Sequence, residues 1–104
     1  MTKTGKNKKI SYHEDLIESL KDPEEAIGYL RAALEESDLP EVFLVALRNV
    51  AEARGISQLA KDTNLNRENL YRMLSKQGNP ELGSLYSVLD ALGFKLSIEI
   101  KKAS

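Results

Sequence analysis

The sequence predicts an all-α domain of five or six helices closed by one short C-terminal β-strand. Three observations lead there. A chain of 104 residues matches one small domain, and 41% apolar against 30% charged residues is enough for a packed core. Between residues 12 and 93 the apolar residues recur at helical spacing, punctuated by caps and glycines. After Gly93 the period drops to two: Phe94, Leu96, Ile98 and Ile100 alternate with Lys95, Ser97, Glu99 and Lys101.

The first nine residues, MTKTGKNKK, have almost no apolar content and read as a disordered arm; the whole span 1–11 is expected to be a flexible basic arm. Leu16, Ile17 and Leu20 suggest a short helix behind Tyr12 and His13. A firmer helix opens at Asp22, where the Asp cap, Pro23 at the first position and Glu25 in the first turn satisfy or avoid orphan N–H groups. Ile27, Leu30, Ala33 and Leu34 mark its buried stripe. Asp38 is placed to cap the next helix, with Phe43, Leu47, Val50 and Ala51 facing the core until Gly55 stops it. Ser57 then caps a helix to about Thr63, and Asn66 caps another to about Lys76, ended by Gly78. Asn79-Pro80-Glu81 opens a last helix with Leu82, Leu85, Leu89 and Leu92 on one face, and Gly93 ends it. The domain therefore spans 12–93, and residues 94–104 form the strand. A lone strand needs a partner, either an unassigned segment or, as the expected one, the same strand of a second copy through Phe94, Leu96, Ile98 and Ile100.

Several function classes drop out. Without cysteine the chain has no disulfide, no zinc-cysteine site and no cysteine nucleophile, which suits a reducing cytoplasm. The longest apolar run, Val42 to Leu47, is six residues, far short of the roughly 20 that span a membrane, and no apolar stretch follows the basic N-terminus as a secretory signal would require. His13 is the single histidine, so no transition-metal site is expected. Adjacent acids such as Glu24-Glu25 and Glu35-Glu36 point in different directions on a helix, and no phosphate-binding glycine loop is present. No enzyme and no cofactor are expected, and function must come from surfaces.

The net charge of −1 conceals a segregation. Met1–Lys9 carries four lysines and no acid; Glu14–Glu41 carries ten acids against Lys21 and Arg31; Arg48–Lys76 carries six bases against three acids. Such asymmetry is the pattern of a chain with two different partners, although ordinary variation on a solvated surface also produces it.

The stretch Ile56 to Leu74 has the dimensions of a helix-turn-helix, within a unit of about 56–77: two short capped helices separated by about three residues. Ala60 supplies the small residue where the helices cross, and Asn64 suits a left-handed turn. Leu65 plugs the space under the turn, while Leu70 and Leu74 seat the second helix. Its other face is then left for DNA. Arg67 and Arg72 are the first candidates for base contact, with Asn66, Glu68, Asn69 and Tyr71 behind them. Ser57 and Gln58 at the start of the first helix, and Lys61, Ser75 and Lys76, are candidates for phosphate contact. An ordinary helical hairpin with its charged side in water is the competing reading.

The run Ser57-Gln-Leu-Ala60, Asn64-Leu-Asn66, Leu70 and Gly78-Asn-Pro-Glu-Leu82, leading to Leu92-Gly93, resembles the Xre/Cro-type helix-turn-helix family. More narrowly, Tyr12-His-Glu-Asp-Leu16, Pro23-Glu-Glu-Ala-Ile27, Tyr29-Leu30, Ala51-Glu-Ala-Arg-Gly55 and Gly78-Asn-Pro-Glu81 resemble the addiction-module antidotes, the HigA-like antitoxins. The likeness runs from about residue 12 to 100. Asn64 departs from the glycine that many relatives have in the turn.

The resemblance implies a lambda-repressor-like fold and a cytoplasmic, homodimeric transcriptional repressor that binds a palindromic double-stranded operator. It also implies an antitoxin of a type II toxin–antitoxin module, neutralising a small ribonuclease-like toxin. A toxin that handles RNA is expected to be basic, which makes Glu24, Glu25, Glu35 and Glu36 candidates for facing it. Two alternatives stand beside this reading: a stand-alone or phage-type repressor without a toxin, and a protein-interaction module that has lost DNA binding.

Overall fold

The computed structural model describes residues 8–102. They form six helices: α1 (Lys8–Ser19), α2 (Pro23–Glu36), α3 (Pro40–Arg54), α4 (Ile56–Thr63), α5 (Arg67–Met73) and α6 (Leu82–Ala91). Residues 1–7 of the expected basic arm lie outside the described residues, and α1 begins at Lys8, inside the span expected to be flexible. No glycine or proline interrupts the chain between Lys8 and Ser19, so nothing in the backbone stops the helix from extending that far.

α3 is the central element. Leu44, Ala46, Leu47, Asn49, Val50 and Ala51 are buried on it, and α1, α2 and α4 all pack against it. Its continuous apolar run is what allows one helix to face several neighbours. From α2 the core takes Ala26 and Leu30; from α4, Ile56 and Leu59; from α5 and the residue after it, Leu70 and Leu74; from α6 and its cap, Val88, Leu89 and Leu92. Full burial of side chains of this size contributes about 1.5–3 kcal/mol each, before entropy is counted. Asn49 is the buried polar residue among those described, and its side-chain amide donates to the Tyr29 hydroxyl at 2.8 Å.

Three expected stripe residues lie outside the core, and Ile27 is the half-buried one. Leu34 is 58% exposed, and Leu82 is 65% exposed, because it opens α6 rather than sitting inside it.

Helix boundaries shift for identifiable reasons. The Asp22 carboxylate accepts from the Glu24 N–H at 3.1 Å, as expected of a cap with Pro23 behind it. The Asp38 cap does not form: Leu39, driven into the extended region by Pro40, is the N-cap, and the Ser37 hydroxyl accepts the Leu39 N–H. Ser57 likewise does not cap α4, which starts one residue after Gly55 (φ 110°) with no side-chain cap. α5 stops at Met73 rather than Lys76, and α6 opens at Leu82 after Glu81 rather than at Pro80. Gly93 (φ 89°) ends α6 as expected: its N–H donates to the Asp90 carbonyl and the Phe94 N–H to Leu89, the paired bonds of a Schellman turn.

The predicted C-terminal strand is corrected. The described residues contain no strand, and residues 94–102 run without helix or ladder. Phe94 packs against the core, whereas Ile98 and Ile100 are 97% and 93% exposed. Among the described residues the period-two pattern has no second strand to pair with, and one strand alone cannot satisfy its backbone groups.

Candidate nucleic-acid interface

The unit formed by α4, the turn 64–66 and α5 is assembled by side chains of the kinds its sequence contains. Asn64 ends α4 in the left-handed conformation (φ 62°, ψ 29°), with its N–H on the Ala60 carbonyl. It is the one non-glycine residue with positive φ among those described, and its short polar side chain tolerates that region. Leu65 follows, partly buried against the core, its N–H also directed to Ala60. The Asn66 side chain then accepts from the Asn69 N–H at 2.8 Å and starts α5. Leu70 and Leu74, both with no exposed surface, pin the inner side of α5.

With that side fixed, the helical period leaves Arg67, Glu68, Tyr71 and Arg72 exposed on the outer side. Arg67, Glu68 and Tyr71 share a shallow depression with Asn66 and Ala60, so five of the positions singled out in the sequence come together. Asn69 is half-buried, and its side-chain oxygen accepts from the Arg72 guanidinium at 2.9 Å. Asn69 thus orients an arginine, while its amide NH₂ remains a donor on the same edge. The Asn66 side-chain oxygen is occupied by the cap, which leaves its NH₂ for outside contact.

The phosphate candidates divide. Ser57 and Gln58 are exposed at the start of α4, where backbone N–H groups are free, but the Gln58 amide donates to Asp62 at 2.9 Å. Lys61 is exposed one turn further on. The half-buried Ser75 donates its hydroxyl to the Arg72 carbonyl, and Lys76 reaches the rim of a different feature, a groove between α2 and α3.

That groove was not foreseen. It has a volume of about 490 Å³ and is lined by Tyr29, Ala32, Val42 and Val45, with Glu36, Glu41 and Lys76 at its rim. The signal was present: six consecutive apolar residues from Val42 surround a helix, so some must face outward. The four acidic candidates are all exposed but are not assembled into one site. Glu24 and Glu25 stand in the first turn of α2 and Glu35 and Glu36 at its end, about 16 Å along the axis. No group of acids or histidines able to hold a metal ion occurs among the described residues, and no described helix is long and apolar enough to cross a membrane.

The model of a family described as "Probable addiction module antidote protein" matches residues 11–100. The chain belongs to this antidote family. An uncharacterized protein of Haemophilus influenzae (strain Rd) is 38% identical to the antidote-family chain over 85 residues, which cover 82% of this chain and 87% of the relative. No solved structure matches the chain significantly. The antidote match embraces every helix except the start of α1, and it includes the acidic α2, the α4–α5 unit and the tail to Ile100.

Proposed function

We propose that this antidote-family chain is a homodimeric, sequence-specific DNA-binding repressor and the antitoxin of a type II toxin–antitoxin module, acting in the cytoplasm. The observation that carries the reading is the left-handed Asn64 turn: Leu70 and Leu74 pin the inner side of α5 while Arg67, Tyr71 and the Asn69-bound Arg72 are exposed on its outer side. This is the arrangement in which an Xre/Cro-type recognition helix of a lambda-repressor-like domain enters the major groove. Arg67 and Arg72 then read base edges, and Ser57, Lys61 and the N-terminal N–H groups of α4 hold phosphates. Two copies would set their α5 helices about 34 Å apart on a palindromic operator.

The toxin-facing role falls to the acidic α2, including Glu24, Glu25, Glu35 and Glu36, opposite a basic, ribonuclease-like partner. Both tasks are surface tasks, and the protein is not an enzyme in this reading.

The test is binding of the purified chain to the promoter of its own operon, followed by anisotropy against salt. Binding that weakens steeply with salt, together with saturation at two chains per site, is expected. Equal affinity for the promoter and for random duplex would overturn the repressor reading. Co-purification with the product of the adjacent gene tests the antitoxin half, and a neighbour that never associates would leave a stand-alone regulator.

A further inference from the structure

The tail after Gly93 is the part of the molecule whose chemistry the single chain leaves unused. Among the described residues, no intrachain backbone hydrogen bond engages residues 95–102. Ile98 and Ile100 are almost wholly exposed, and with Phe94 and Leu96 they form the apolar side of an alternating pattern. Unpaired N–H and C=O groups beside alternating apolar residues make an edge suited to strand addition.

We infer that residues 94–100 of two copies pair as an antiparallel ribbon whose two-fold axis passes through Ser97. The inference rests on the dimer reading above and adds to it a register and the side chains that set it. With Ser97 opposite itself, Lys95 faces the partner's Glu99 and Glu99 faces the partner's Lys95, so the dyad makes that ion pair twice. On the other side of the ribbon, Leu96 faces the partner's Ile98 and Phe94 faces the partner's Ile100. All four apolar positions of each copy are thus matched with apolar ones.

Neighbouring registers are worse. A slip by one residue sets apolar side chains opposite polar ones throughout. Centring on Ile98 brings Lys95 against the partner's Lys101, and centring on Glu99 brings that carboxylate against itself. Centring on Leu96 leaves Glu99 opposite the partner's Gly93, discards both ion pairs and runs Ile100 against Leu92, the helix-ending residue of α6. Like charges directly opposite on a ribbon are destabilising and opposite ones stabilising, so charge selects one register.

The ribbon also has a place to lie. Phe94 and Leu96 line a groove of about 370 Å³ together with Ile27 and Leu34 of α2; in the single chain Lys95, Ser97 and Glu99 line it as well, so pairing turns these three polar side chains out of it. In the paired state the partner's Ile100 stands beside Phe94 and the partner's Ile98 beside Leu96, over this groove. Each copy therefore completes the apolar cover of the other's α2, and the exposure of Leu34 acquires a reason. This packing matters because an isolated two-stranded ribbon is only marginally stable in water.

The chain has no cysteine, so single thiols can be placed freely. In Ser97→Cys the two thiols meet at the dyad, and mild oxidation is expected to link two chains nearly completely at micromolar protein. In Lys95→Cys they stand four residues out of register, about 13 Å apart, and should not link. Sedimentation supplies the second readout: Lys95→Glu and Glu99→Lys should each weaken the dimer about tenfold, and K95E/E99K together should restore it. A chain that is monomeric at these concentrations would overturn the dimer reading and this inference together. A stable dimer in which Ser97→Cys fails to link, or in which the double charge swap fails to rescue, would overturn the register alone.

Discussion

Two residues with similar sequence signals act in different ways. Asn64 holds φ 62° at the end of α4, a conformation that costs most side chains about 1–2 kcal/mol. Asn64→Gly should therefore leave stability in urea almost unchanged, while Asn64→Val should lower it by about 1–2 kcal/mol. Gly78 was expected to end a helix by conformational freedom, yet it has no positive φ, and its N–H simply donates to the Ser75 carbonyl at 2.9 Å. A Cβ there would overlap the Met73 carbonyl oxygen, which is backbone and cannot swing aside. Gly78→Ala is expected to cost about 1–3 kcal/mol, read as a lower urea midpoint at constant slope. An unchanged midpoint would show that the loop after α5 moves away freely. The role of Asn64 was legible because a turn between two capped helices demands it locally; that of Gly78 was not, because close approach depends on where residues five positions away come to rest.

At the scale of the element, the seven residues of α5 carry folding on one side and the proposed recognition on the other. Leu70 is fully buried, so Leu70→Ala should destabilise the domain by about 2–5 kcal/mol, and any loss of DNA binding would follow unfolding. Arg67 is exposed, so Arg67→Ala should leave the urea midpoint in place while weakening specific DNA binding by about 1–3 kcal/mol. Asn69→Ala tests the orienting bond to Arg72: it should weaken promoter binding less than Arg72→Ala does, and nothing further should be lost when both are changed. Additive losses would mean that the two side chains act independently. The helices themselves were legible, α5 down to its Asn66 cap, because caps and spacing are local. Their starts at Pro40 and Leu82 were misplaced because each cap competes with its neighbours: Leu39 before Pro40 displaced Asp38, and Glu81 displaced Asn79. The C-terminal strand failed for the opposite reason. Its period is correct for a strand, but pairing is a property of two segments, and the described residues offer it no second one.

For the whole molecule, the segregation of charge decides whether its two proposed tasks can be separated. The acids of α2 and the bases of α4 and α5 sit on different elements, and at about 0.1 M salt exposed charges farther apart than roughly 10 Å are largely screened from one another. Replacing Glu24, Glu25, Glu35 and Glu36 by Gln should therefore leave promoter affinity equal or slightly higher at moderate salt, since four negative charges no longer repel the duplex. The same variant should bind the adjacent gene product more weakly, chiefly through a slower association rate, because long-range attraction acts on the encounter. Arg67→Ala should show the converse pattern, losing the promoter and keeping the adjacent gene product. Glu24 and Glu25 begin α2, where the helix dipole stabilises them, so the pairs must also be changed separately, with the urea midpoint followed alongside. If the two halves of the quadruple variant affect association with that gene product equally, the partner spans the full length of α2. An effect confined to Glu35 and Glu36 would centre it on the groove that Glu36 borders with Val42 and Val45. A quadruple variant that loses both partners at an unchanged midpoint would show instead that one surface serves both.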